Sequence, residues 1–257
     1  MTNKEMITRF KDMADIADAS YAMLHYVFEN IDSVFKSKKW EEADNITNRD
    51  KTIENDKYLN GNIILPNSNT AYARCIESRF QKDIVVEEGI FFDDKLGDSP
   101  KMVSVARELS QRTKNFVNRY ELIEHQPNAD YGFCATLFKD TKADSKDSEY
   151  TLAIRGTEFK LEQIKDLIND YYIGTNNDNM DKVVEQYLDM LLFYEETLKP
   201  LLQEKGITKI NITGHSLGGY LAQRALIYCD SLHKDKLKFS PSEVYTFNAP
   251  LESRSVA

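Results

Sequence analysis

Apolar residues recur every three or four positions near the start of the chain: Phe10, Met13, Ile16 and Ala17, then Tyr21, Leu24 and Phe28. That spacing lines one face of a helix and predicts one long helix or two short ones over residues 7–35. From 36 to 62 the pattern gives way to Asn, Asp and Lys. A polar surface excursion is expected there, with Trp40 packing locally inside it. Helical spacing returns over 71–80 and again over 100–117, where Pro100 follows Asp98 and Ser99 as a first-turn residue should. The period then shortens to two. Residues 132–138 and 150–154 read as strands joined by a polar hairpin-like turn at 139–148. Beyond them the chain alternates: helix at 159–168 with Leu161, Ile164 and Ile168 on one face, a long helix at 181–202, a β-branched strand at 209–213, a helix at 216–232 and a strand at 243–247. No internal repeat is visible. Strands alternating with helices imply crossover connections, hence an α/β fold whose mostly parallel sheet is covered on both faces.

Composition adds exclusions. A chain of 257 residues supports one sizeable core, so a single domain is expected. A net charge of -9 argues against nucleic acid as the main partner, because phosphate binding needs clustered Lys and Arg. It also disfavours electrostatic adsorption to anionic membranes, though not a transient hydrophobic contact with a lipid surface. Cys75, Cys134 and Cys229 are too far apart for a disulfide framework or a metal-ligand spacing, and read as small core residues. The first eighteen residues are broken by charges, unlike a signal peptide, and no stretch approaches the ~20 apolar residues of a membrane span. The default location is the cytoplasm; export without an N-terminal signal is compatible with the same sequence.

Candidate chemistry centres on Ser216, in the run Gly214-His215-Ser216-Leu217-Gly218-Gly219. Gly-x-Ser-x-Gly alone is a weak pattern. Here it follows a predicted strand and opens a predicted amphipathic helix, which is the context such a nucleophile requires. A serine on a sharp strand-to-helix turn takes strained backbone angles. Gly214 and Gly218 lack the Cβ that would stop the turn from closing, and Gly219 lets the helix lie close to the sheet. The helix N-terminus directs free N–H groups towards a reacting carbonyl, so the amide of Leu217 is a natural oxyanion donor. The bland alternative is a Gly-rich helix cap with a structural serine.

Residues 210–219 resemble the serine signature of the class 3 (fungal-type) lipases within the α/β-hydrolase superfamily. A second motif, Leu152-Ala153-Ile154-Arg155-Gly156-Thr157, is similar to the family's Arg-Gly-Ser/Thr element. The resemblance implies that Thr157 is the other oxyanion donor, through its amide and hydroxyl, and that Asp166, in Asp166-Leu167, supports that hydroxyl. Thr246-Phe247-Asn248-Ala249-Pro250 resembles the family's Thr-Phe-Gly-x-Pro, with Asn in place of Gly. The resemblance covers residues 131–250, so 131–257 reads as a lipase-like core and 1–125 as a helical lead-in. Arg155 cannot act as acid or base and reads as a structural, ion-paired residue. Thr157 also suits a helix cap, a role compatible with oxyanion binding, and Asp166 also suits an ordinary surface helix.

A serine nucleophile needs a general base and the base an orienting carboxylate. In the family both follow the Thr-Phe-Gly-x-Pro strand. The seven residues after Pro250 contain neither Asp nor His. His215 adjoins Ser216 with its side chain pointing elsewhere, and His233 lies ~25 Å further along a continuous helix at 1.5 Å per residue. His25 and His125 would need a rewired triad. The expectation is therefore an incomplete α/β-hydrolase domain, its last strands missing, with weak or no turnover and an exposed edge strand that invites self-association. The resemblance implies a lipid ester as substrate and no metal or organic cofactor. Residues 158–168, with Phe159, Leu161 and Ile164, suit either an amphipathic lid or a fixed packed helix. A catalytically silent binding protein, or another serine hydrolase on the same scaffold, is the alternative to a lipase-type enzyme.

Overall fold

The computed structural model describes residues 2–22, 24, 58–59, 62–63, 71–80, 109–127, 129, 132–156, 178–231 and 240–250. Trp40, Thr157, Asp166 and the expected helix at 159–168 lie outside these residues. Compact packing divides the chain into two units, Met1–Ala17 with Gln126–Ala257, and Asp18–His125. Among the described residues no helix is long and apolar enough to cross a membrane.

The chain opens with α1 (Asn3–Ala19), whose apolar stripe includes the buried Met13, Ile16 and Ala17. In the Asp18–His125 unit, a two-residue antiparallel ladder, β1 (Tyr58–Leu59) with β2 (Asn62–Ile63), precedes α2 (Ala71–Phe80), α3 (Gln111–Val117) and β3 (Tyr120–Gln126). Rings of Phe80, Phe116 and Tyr120 meet in series, the first pair edge to face and the second tilted, with centroids 5.4 and 4.8 Å apart. The helix expected over 100–117 is interrupted at Leu109 and Ser110, which are not helical, and α3 starts at 111; residues 100–108 lie outside the described residues. Ser110 caps it, its Oγ accepting from the Thr113 amide at 3.3 Å, and buried Glu77 accepts from the Ser110 amide and hydroxyl at 3.0 and 2.7 Å. The cap satisfies a first-turn donor that an uninterrupted helix would have bonded through its backbone.

In the other unit the strands lie in the order β4 (Ala135–Asp140), β5 (Tyr150–Ile154), β6 (Lys209–His215), β7 (Ser240–Phe247). The β4–β5 pair is an antiparallel hairpin with Leu137 opposite Leu152, whereas β5, β6 and β7 run parallel, with Leu152 opposite Ile212 and Thr213 opposite Tyr245. The β6–β7 ladder slips by one residue after Pro241, which has no N–H to give it.

Alternation along the strands covers both faces of the sheet. Leu152, Ile210 and Ile212 face α4 (Asp178–Phe193) and α6 (Leu217–Ser231), enclosing with them a cavity of about 20 Å³. On the opposite face α1 lies over the sheet. Thr213 Oγ1 donates to Met13 O at 3.3 Å, the Phe10 and Tyr245 rings meet edge to face, and Arg9 pairs with Glu243 at 2.5 Å. The long helix expected over 181–202 runs on from α4 through one wide five-residue turn, Tyr194–Leu198, into α5 (Lys199–Glu204). Pro200 explains the wide turn: it cannot donate to the preceding turn, and its ring needs the extra room.

Candidate active site

Ser216 stands between the end of β6 and the first residue of α6. Its φ is 57°, in the left-handed region that a residue with a Cβ occupies at a cost of roughly 1–2 kcal/mol. Three bonds hold it there. The Ser216 amide donates to Phe247 O at 2.9 Å on neighbouring β7, and the Ser216 carbonyl accepts from the Gly219 and Tyr220 amides at 3.0 and 3.3 Å. The elbow is thus fastened to the sheet on one side and to the helix on the other.

The glycines around it are required by close approach. A Cβ on Gly214 would fall well inside 3.0 Å of the Gly218 carbonyl and 2.7 Å from the Gly219 nitrogen. A Cβ on Gly218 would overlap Ile154 O and lie 2.7 Å from Gly156 N. No rearrangement of a flexible side chain relieves these overlaps, because the obstacles are backbone. Gly218 therefore lies flat against the end of β5, at the Ile154-Arg155-Gly156 step that leads directly into Thr157. The Arg155 amide donates to Cys134 O at 2.9 Å, which anchors that step to the neighbouring hairpin.

Leu217 is the first residue of α6, so its N–H has no partner within the helix and is directed out of its positive end. Ser216 itself is only 4% exposed, and among the described residues its Oγ has no hydrogen-bond partner. His215, its neighbour in sequence, does not reach that oxygen. The 20 Å³ cavity does not reach Ser216 either; it lies among Leu152, Met190, Phe193, Ile212 and Tyr228, with room for little more than a water molecule.

The structure brings together Gly214, Ser216, Leu217 and Gly218 with the β5 terminus. Thr157 and Asp166 lie outside the described residues. One residue of this corner was missed as a conformational element in the sequence: Asn248, immediately after the Phe247 carbonyl, has φ 49°. Asn is the side-chain-bearing residue that most readily takes that conformation, so its replacement of Gly in the Thr-Phe-Gly-x-Pro pattern was the available signal.

A serine at positive φ between a parallel strand and a helix, with glycines on both sides packed against backbone, has the local geometry that a strand-to-helix nucleophile turn requires. Residues 151–252 match the family model described as Lipase (class 3). Among solved structures, the Lip2 lipase of Yarrowia lipolytica is similar at 24% identity, covering 54% of this chain and 48% of its own, with a TM-score of 0.38. A lipase from Rhizopus microsporus var. chinensis follows at 20% identity, covering 55% and 48% with a TM-score of 0.38. The Rhizomucor miehei lipase propeptide complex is similar at 17%, covering 54% and 43% with a TM-score of 0.37. The chain thus spans about half the length of these lipases. No curated protein matches it.

Proposed function

We propose that the chain carries the nucleophile of a serine ester hydrolase acting on lipid esters. The observation that carries this reading is the left-handed Ser216 at the corner of β6 and α6, fastened through its own amide and carbonyl. In this reading Ser216 Oγ attacks the ester carbonyl and passes its proton to a general base. The resulting oxyanion is held by the Leu217 amide and by Thr157. Collapse expels the alcohol and leaves an acyl-serine, which water then hydrolyses. Asp166 orients the Thr157 hydroxyl. Lipid esters are the substrate class because the family is one of lipases.

Two features set how fast this runs. No described histidine bonds Ser216 Oγ, and loss of the base from such a triad removes ~10⁶ in turnover. The hydroxyl is also nearly closed off from solvent, so a substrate reaches it only if neighbouring chain moves aside. Detergent or a lipid interface, which favours such opening, should speed the reaction. These same observations favour the second reading, a catalytically silent member of the fold that acts by binding.

A panel of p-nitrophenyl acyl esters set against the matching anilides tests the chemistry. Slow ester cleavage that rises with detergent and disappears in Ser216→Ala is expected. Cleavage that persists in Ser216→Ala, or anilides cut as fast as esters, would count against the proposal.

A further inference from the structure

The turn that follows β7 is tied to the nucleophile helix by one side chain. Gln223 lies on α6 one turn beyond Gly219, and its Nε2 donates to Pro250 O at 2.9 Å and to Gly219 O at 3.3 Å. Both protons of one amide group are thereby directed at two carbonyls, one in the helix's first turn and one in the departing chain. Between these carbonyls the backbones nearly touch. A Cβ on Gly219 would fall 2.5 Å from Ala249 Cβ and 3.3 Å from Thr246 Cβ. The segment 247–250 is therefore held at three successive points. Phe247 O accepts from Ser216 N, Ala249 rests on Gly219, and Pro250 O accepts from Gln223. Asn248, in the left-handed region, makes the bend that brings all three into reach.

We infer that Gln223 is a positioning residue for Ser216, a role that rests on the proposed nucleophile. It touches neither Ser216 nor a reacting atom. It acts by pressing the 248–250 turn onto the first turn of α6, so that the Phe247 carbonyl stays where the strained Ser216 amide needs it. Strain at a single residue persists only where its surroundings over-determine the conformation, and Gln223 supplies the outermost of the three constraints. The chemistry of the contact is specific. Two carbonyl oxygens require a double donor of this length, which Gln provides. Met matches its length without donating, and Glu presents a carboxylate to both carbonyls.

The test compares the wild-type chain with Gln223→Met and Gln223→Glu, reading two quantities. The first is hydrogen exchange of peptides spanning 244–249 and 214–220; the second is the rate at which a fluorophosphonate probe labels Ser216. In Gln223→Met, exchange in both peptides should rise and labelling slow by about three- to tenfold, the usual weight of one such hydrogen bond, while the thermal midpoint moves little. Gln223→Glu should be worse on both readouts, which separates lost donors from lost packing. Unchanged exchange in both variants, or equal effects of Met and Glu, would overturn the inference. A wild-type chain that does not label would instead remove the nucleophile, and with it the positioning role. The exchange measurement would still decide independently whether Gln223 holds the turn.

Discussion

Ser216 and Asn248 hold left-handed backbones and are joined through the Ser216 amide and the Phe247 carbonyl. Each strained residue sits where a neighbouring hydrogen bond fixes its direction, so the cost is local. The two positions should respond differently to substitution. Asn248→Gly relieves the backbone but gives the unfolded chain more freedom, and should change stability by no more than about 0.5 kcal/mol. Asn248→Val, β-branched at positive φ, should cost about 1–3 kcal/mol in chemical denaturation and slow probe labelling of Ser216. Equal stability of the two variants would show that the bend after β7 is not strained. Gly218→Ala should be more damaging than either, because its obstacle is the β5 backbone itself.

At the scale of elements, the packing of α1 over the sheet makes a prediction about pH. Burial, followed by the hydrogen bond to Glu243 at 2.5 Å, raises the Tyr245 phenol to about 12, with Arg9 opposing. A raised pKa means that the folded state favours the protonated phenol. The stability this contributes is fully present below the ordinary value near 10 and is lost as pH rises from there through about 12. Wild-type protein should therefore lose stability across that interval, and Tyr245→Phe should lose less of it in urea melts taken at pH 9 and pH 11. Identical slopes would show that the phenol is equally free in both states. Much of the element order was legible in the sequence. The hairpin of 132–138 with 150–154, the long helix before β6 and the strand-to-helix step at Ser216 follow from periodicity that packing did not override. What escaped were features set by single side chains. β3 was missed because Glu121 and Glu124 interrupt its alternation although Tyr120, Leu122 and His125 are buried. The break before α3 was missed because it is set by one side chain, Ser110, which is held by Glu77 and caps the helix. The wide turn at Tyr194–Leu198 follows from Pro200, whose presence in an otherwise helical pattern was the clue. At the candidate site, the strand-to-helix turn and its close-packed glycines were readable because their spacing is local. The clamp from Gln223 to Pro250 was not, since it joins residues 27 apart.

For the molecule as a whole, the sheet order ends on β7 among the described residues, and β7 ends in Phe247, whose carbonyl accepts from the Ser216 amide. A strand with one unpaired edge can pair with a second copy. Concentration-dependent association is expected by light scattering, opposed in low salt by the net charge of -9 and stronger as salt screens it. A monomer that stays monomeric at high concentration and high salt would count against an open β7 edge. The central claim is tested most directly by incubating the chain with excess fluorophosphonate probe in detergent and locating the adduct by peptide mapping. The account predicts slow, single-site labelling on Ser216 that is absent in Ser216→Ala; no adduct after prolonged incubation, or one that persists in that variant, would contradict it.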